Sequence, residues 1–87
     1  MKKEKYKSKL EKLIDLMPCK IGDYSLRILP LKDMLGHKSY WIGYKKDHEY
    51  GVDEMHFERN ESLYSAARSM VNYLIKEGFL KKEINLA

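Results

Sequence analysis

The chain is poor in cysteine and proline and has no long apolar run. It contains one cysteine, Cys19, and two prolines, Pro18 and Pro30. A single cysteine cannot close an internal disulfide, which fits a reducing compartment. No stretch approaches the roughly 20 apolar residues that a membrane-spanning helix needs. The basic N-terminus also lacks the apolar core and cleavage site of a signal peptide. We therefore predict a cytoplasmic protein without a membrane partner.

The sequence also lacks recognisable catalytic, metal-binding and phosphate-binding motifs. Cys19, His37, His48 and His56 do not follow zinc-ligand spacing, although His48 and His56 would be the first place to look for a metal. No serine lies in a nucleophile elbow, and no glycine-rich loop resembles a phosphate cradle. The acidic stretch 47–54 does not follow a calcium-binding loop, so we interpret it as a solvated turn. We predict no catalytic residue, no cofactor and no metal site, and hence no enzyme.

The composition that is present predicts one small folded domain. Apolar residues make up 44% of the 87 residues, and 17 basic against 13 acidic residues give a net charge of +4. The apolar share is enough for a core. The basic excess is modest and lies mostly near the two ends. Solvated ends are one interpretation of it, and an anionic partner is the other. We assign residues 1–87 to a single domain and expect fraying at 1–5 and 82–87.

The strongest pattern in the chain is NESLYSAARSMVNYLIKEG, residues 60–78. Its apolar residues recur at intervals of three and four, which places them in one stripe on a helix. That stripe consists of Leu63, Ala66, Ala67, Met70, Val71, Leu74 and Ile75. We predict Asn60 as the N-terminal cap and Gly78 as a left-handed stop. Such a helix needs a surface to lie on, and the middle of the chain is predicted to provide it.

A second helix and three strands are predicted before this helix. Helical spacing over residues 2–17 predicts a helix that Pro18 ends. Alternation predicts strands at 20–30, 39–46 and 52–58. We place a turn or bulge at Gly22-Asp23, a stop at Pro30 and a bulge near Asp53-Glu54. In the tail, residues 81–87 offer a further contact or a fourth edge strand through Ile84 and Leu86.

This order predicts an α+β fold, in which a helix, a three-stranded antiparallel meander and a second helix (αβββα) form a two-layer sandwich. Both helices would then lie on one face of the sheet. The competing arrangement places one helix on each face. Trp41 distinguishes the two, because it lies on the uncovered face in the two-layer arrangement.

Aromatic residues next to basic ones are the most suggestive functional feature. Trp41 and Lys45 share one face of their predicted strand, and Arg27 on the neighbouring strand can join them. An exposed aromatic flanked by cations can anchor a protein partner or stack a nucleic-acid base. Alternatively, the first helix or the tail covers Trp41. We name Arg27, Trp41, Lys45 and His56 as candidate partner-binding residues.

Two resemblances follow from these residues. The order of elements is that of the double-stranded RNA-binding domain, but NESL at 60–63 is acidic where that family carries lysines for phosphates. The second half of the chain resembles small phage and prophage proteins of the alpha-beta-alpha sandwich kind. In those, the last helix carries alanines near its start and an aliphatic end before Gly or Asn, which Ala66, Ala67, Leu74, Ile75 and Gly78 match.

The phage-type resemblance implies a binding protein without catalysis and transfers no functional residue. Some small phage proteins of this size act by sequestering host or defence proteins. Our hypothesis is therefore a protein that binds another protein, such as a host or defence factor, or a second copy of itself through a sheet edge. The alternative is nucleic-acid binding through the basic and aromatic sheet face.

Overall fold

The structure, a computed structural model, describes residues 8–80. The elements in chain order are α1 Lys9–Leu16, β1 Lys20–Ile21, β2 Tyr24–Lys32, β3 Lys38–His48, β4 Gly51–Asn60 and α2 Leu63–Lys76. The strands form one antiparallel sheet in the order β1-β2-β3-β4. The predicted α+β class is confirmed, but the prediction of three strands is wrong, because residues 8–80 contain four. The first helix, predicted over 2–17, begins at Lys9, because Ser8 is extended and caps it. Residues 2–7 of that prediction and the tail contacts of Ile84 and Leu86 lie outside the described residues.

The additional strand comes from a tight reversal inside the segment predicted as one strand. Gly22 adopts a φ of +62°, which suits glycine, and the chain turns back so that Ile21 pairs with Tyr24. Lys20 and Ser25 form the next pair. A strand of two residues is too short to show an alternating pattern, so the sequence presents β1 and β2 as a single run.

Strand β2 continues through Pro30, which was predicted to end it. Pro30 pairs with Tyr40, and the strand runs on to Lys32. The amide of Leu26 donates to the carbonyl of Cys19 on the β1 side at 2.9 Å. The backbone amides of a strand point alternately to its two neighbours. The nitrogen of Pro30, four residues after Leu26, therefore faces the same side, beyond the end of β1. No neighbouring strand among the described residues needs an amide there, so the proline is tolerated.

Strands β3 and β4 form the longest ladder, and it contains one irregularity. Tyr44 pairs with His56, whereas the next residue, Lys45, pairs with Glu54. Met55 is therefore an extra residue on β4, one position later than the bulge predicted at Asp53-Glu54. Every side chain of β4 beyond Met55 faces the opposite side from the one that an unbroken alternation predicts.

Polar caps begin both helices. In α1, the amide of Glu11 donates to Ser8 Oγ and the amide of Ser8 donates to Glu11 Oε1, which is a complete capping box. In α2, Ser62 accepts from the amide of Ser65 at 3.2 Å. The cap predicted at Asn60 is therefore wrong by two residues, because Asn60 ends β4 and accepts from the amide of Ser62 instead.

The end of α2 confirms the predicted stop at Gly78. Its φ is +85°, its amide donates to the carbonyl of Ile75, and the amide of Phe79 donates to the carbonyl of Leu74. These two bonds complete a Schellman motif.

Both helices pack on the same face of the sheet, so the described residues form two layers. Side chains from α1, β3 and α2 make one buried cluster: Leu13, Met17, Ile42, Tyr44, Ala66, Ala67, Met70, Val71 and Leu74. Five of these nine, Ala66, Ala67, Met70, Val71 and Leu74, belong to the apolar stripe predicted for the second helix. Within residues 8–80, no helix has the length and apolar character required to cross a membrane.

Among the nine residues of this cluster, Tyr44 alone carries a hydroxyl group, and it lies where α1 meets the sheet. Its hydroxyl donates to the carbonyl of Pro18 at 2.8 Å. Burial, with a smaller contribution from the negative charge of Cys19, raises the pKa of Tyr44 to about 12. Cys19 is exposed, because it lies in the segment that crosses from α1 to the edge strand β1.

Candidate functional site: the open sheet face

The side of the sheet opposite the helices presents the basic and aromatic residues. We call it the open face and define it by Arg27, Leu29, Trp41, Gly43, Lys45, Phe57 and Arg59. The register places Leu29, Trp41 and Arg59 side by side across three strands, and Arg27, Gly43 and Phe57 in the row beside them. The intervening residues of β3, Ile42 and Tyr44, point into the core. The structure therefore brings Arg27, Trp41 and Lys45 together on one surface.

Trp41 lies at the centre of this surface and is covered by its own neighbours. Its ring stacks on Phe57 with centroids 5.5 Å apart and planes 15° apart, and Lys45 Nζ lies 4.4 Å from the ring centroid. Gly43 leaves the space that the indole occupies, because a Cβ there would be 2.5 Å from Trp41 Cη2. Only 8% of Trp41 remains exposed. Helix α1 does not cover it, and a cover from residues 81–87 lies outside the described residues.

The rim of the open face combines cations with half-exposed apolar side chains. Arg27 Nη2 donates to Asp47 Oδ2 at 2.7 Å, and Arg59 Nε donates to Ser39 Oγ at 3.2 Å. These contacts use only part of the five N–H groups that each guanidinium offers. Leu29 is 40% exposed and Phe57 is 43% exposed. The surface can therefore offer charge-assisted hydrogen bonds and apolar area to the same partner.

His56, the fourth candidate, lies on the other side of the sheet. Its ring stacks on Tyr73 of α2 with centroids 3.6 Å apart, and its Nε2 lies 2.6 Å from Glu58 Oε2. Burial, followed by the charge of Glu77, raises the pKa of Tyr73. The structure thus separates His56 from Arg27, Trp41 and Lys45.

Three residues of the open face were not among the predicted candidates: Leu29, Phe57 and Arg59. Leu29 could have been found, because it alternates with Arg27 on the same strand. Phe57 and Arg59 follow the bulge at Met55, so their side depends on where that bulge lies. The side of the sheet on which these two residues lie could not be predicted from the sequence alone.

The other polar groups considered from the sequence are dispersed. His48 Nε2 lies 3.1 Å from Asp53 Oδ1 and is not near His56 in the strand register. Within residues 8–80, no three histidine, cysteine or acidic side chains lie close enough together to hold a metal ion.

A shallow cleft lies beyond the open face, at the end of the sheet where β2 turns into β3. Its volume is about 340 Å³, and its lining consists of Asp33, His37, Lys38, Ser39, Arg59, Asn60 and Glu61. Ser39 accepts from Arg59, while His37 Nδ1 lies 3.3 Å from Asp33 Oδ2. Cationic and acidic side chains are mixed in this lining, so it offers no single charge to a ligand.

No protein-family model, curated protein or solved structure matches this chain.

Proposed function

We propose that this chain is a small non-catalytic binding protein that docks a protein partner through its open face. The observation that supports the proposal is the central Trp41, ringed by Arg27, Lys45 and Arg59 and bordered by half-exposed Leu29 and Phe57. Arginine is among the residues enriched at the energetic centres of protein interfaces. The half-exposed Leu29 and Phe57 are the apolar area that a partner can still cover, and the buried Trp41 supports Phe57 from below.

The energetics of the rim agree with a protein partner of moderate affinity. Full burial of a large apolar side chain gives about 1.5–3 kcal/mol. Leu29 and Phe57 already lose more than half of their surface in the free protein, so docking can add only about 1 kcal/mol from each. The guanidinium groups of Arg27 and Arg59 supply the remaining specificity if the partner presents carboxylates. We therefore expect an apolar partner surface that carries acidic groups.

Nucleic-acid binding is less well supported by this geometry. A base would need a free ring face on which to stack, but Lys45 and Phe57 already pack against Trp41. Asp47 also places a negative charge beside Arg27. Phe57 is the remaining aromatic surface, and it is less than half exposed.

Self-association is the second form of protein binding that the fold suggests. Within residues 8–80, strand β4 pairs only with β3, so its outer edge is a place where another strand could add. The bulge at Met55 and the carboxylates of Asp53, Glu54 and Glu58 are features that discourage such pairing. We therefore place the binding surface on the open face rather than on this edge.

The resemblance of the second half to small phage and prophage proteins suggests where to look for the partner. We propose a host or defence protein that the chain would inhibit by occupying its surface. The first experiment is affinity capture from a host lysate with immobilised wild type and with the variants Phe57→Glu and Arg59→Glu. Arg68→Glu on α2 is the matched control for Arg59→Glu, because it makes the same charge change on the helical layer, and it exceeds the charge change of Phe57→Glu.

The expected result is a protein that wild type and Arg68→Glu retain and that both open-face variants lose. Equal capture by all four proteins, or no protein captured, would contradict the proposal. Capture that disappears after nuclease treatment and falls steeply with salt would instead identify nucleic acid, because phosphate contacts release counterions.

A further inference from the structure

The loop between β2 and β3, residues 33–37, exposes two apolar side chains at its apex. Met34 is fully exposed and Leu35 is 82% exposed. We call this loop the tip. Exposed apolar residues are common singly, but two adjacent ones at the outermost point of a hairpin are unfavourable in water and available for contact. They lie apart from Trp41 and are not used by the open face.

The backbone of the tip is held by its own hydrogen bonds. Asp33 Oδ1 accepts from the amides of Leu35 and His37, both at 2.9 Å. The amide of Asp33 donates to the carbonyl of His37, and the amide of Gly36 donates to the carbonyl of Asp33. Gly36 permits this tight path with a φ of +89°. The tip is therefore pre-organised, and four of its N–H groups need no water.

Two lysines, one on each strand, lie at the base of the tip. Lys32 and Lys38 are directly paired across β2 and β3 at the base of the loop. Like charges opposite one another are unfavourable in an isolated sheet, and an anionic surface would relieve that repulsion. At a rise of about 3.3 Å per residue, Lys32 lies roughly 7 Å from Met34 along the strand. Apolar groups that dock on a bilayer enter about 5–10 Å into the headgroup region.

From these three observations we propose that the tip docks on an anionic lipid surface. Met34 and Leu35 enter the boundary between headgroups and acyl chains, and Lys32 and Lys38 meet the lipid phosphates. The internal bonds of Asp33 satisfy backbone groups that lipid could not. A convex apex suits a fluid surface, which needs no preformed pocket. Such docking requires no membrane-spanning segment and is independent of the proposed protein binding.

The test is co-sedimentation of the full chain with lipid vesicles. One set contains phosphatidylcholine alone, and the other contains about one third phosphatidylglycerol. Wild type should bind the anionic vesicles. Met34→Asp and Leu35→Asp should each lower the partition coefficient at least about tenfold, since each removes an apolar side chain from the bilayer. Lys32→Gln combined with Lys38→Gln should lower binding to anionic vesicles by about tenfold or more.

Two controls separate this docking from other causes. Tyr50→Asp changes a largely exposed residue in the turn at the opposite end of the sheet and should leave the partition coefficient unchanged. Phe57→Glu should also leave it unchanged, because the open face is not involved.

Three outcomes would overturn the proposal. They are wild-type binding to neither kind of vesicle, an equal loss for Tyr50→Asp, and unchanged binding of Met34→Asp and Leu35→Asp. The last would mean general attraction of a cationic protein. Met34→Asp and Leu35→Asp should unfold at the wild-type temperature, which shows that lost binding is not lost folding.

Discussion

Gly43 determines how Trp41 lies on the open face, and its replacement tests that arrangement. In Gly43→Ala the new Cβ would be 2.5 Å from Trp41 Cη2 and 2.8 Å from Phe57 Cβ. The indole must move, because Phe57 Cβ is attached directly to the backbone and can yield less. We expect a loss of about 1–3 kcal/mol in the free energy of unfolding, measured by urea denaturation, together with a shift in tryptophan fluorescence.

A double-mutant cycle identifies the contact responsible. In a Trp41→Leu background the alanine at position 43 no longer meets an indole, so its cost should shrink. An equal cost in both backgrounds would contradict the role that we assign to the indole.

Tyr44 links stability to alkaline pH. Its pKa is raised from 10.0 to about 12 by burial, so the folded protein holds this proton more tightly than the unfolded chain does. The resulting stability is fully present below pH 10 and is lost as the pH rises from about 10 through about 12. Ionisation of the buried hydroxyl therefore destabilises the fold at alkaline pH.

Tyr44→Phe removes this titration and the hydrogen bond to Pro18. We expect it to cost about 0.5–1.5 kcal/mol at neutral pH and to lose less stability than wild type between pH 10 and 12. Urea denaturation at pH 7 and at several alkaline values measures both quantities. Parallel alkaline losses in the two proteins would show that Tyr44 is not the titrating group.

The sequence predicted which side chains share a face of the sheet but not how exposed they are. The period of two correctly joined Arg27, Trp41 and Lys45. It could not show that Trp41 would be covered, because that depends on its packing over Gly43 and against Phe57. His56, the fourth candidate, lies on the other side of the sheet, because the extra residue Met55 separates it from the side of Glu54, which pairs with Lys45.

Among the elements, α2 owes its start to Ser62. Ser62→Ala removes the acceptor of the Ser65 amide and should lower the free energy of unfolding by about 1 kcal/mol. Ser69→Ala on the exposed side of the same helix is the control and should lie within about 0.5 kcal/mol of wild type. Thermal or urea unfolding measures both. A larger effect at position 69 than at position 62 would contradict the cap.

The buried stripe of α2 carries far more of the stability than its cap. Leu74 is fully buried, so Leu74→Ala should cost about 2–5 kcal/mol through lost contacts and the cavity left behind. Arg68 is exposed, and Arg68→Ala should stay within about 0.5 kcal/mol. Similar costs for the two in urea denaturation would mean that the helix presents a different side to the sheet.

The long helices and strands were predictable because many of their residues follow one hydrophobic period. The stripe of α2 and the stop at Gly78 needed only spacing and the backbone freedom of glycine. Short or local features were not predictable in the same way. Strand β1 has two residues, and Pro30 is tolerated only because β1 ends before reaching it. The choice of Ser62 over Asn60 as cap depends on how far β4 extends.

For the whole molecule, the open face and the tip lie on one side and at one end of a single sheet. The tip is the turn between β2 and β3, and the same two strands carry part of the open face. The two surfaces nevertheless share no residue. A protein partner on the face and a lipid surface at the tip would therefore use different side chains. Variants of one surface should leave the other surface active.

The outer edge of β4 leads to a prediction about the oligomeric state. Edge pairing needs a regular run of free backbone groups, and Met55 interrupts that run with a bulge. Asp53 and Glu54 add carboxylates that would face those of a second copy. We therefore expect the full chain to remain a monomer from micromolar to near-millimolar concentration in sedimentation equilibrium. A mass that rises towards two chains within this range would contradict this expectation.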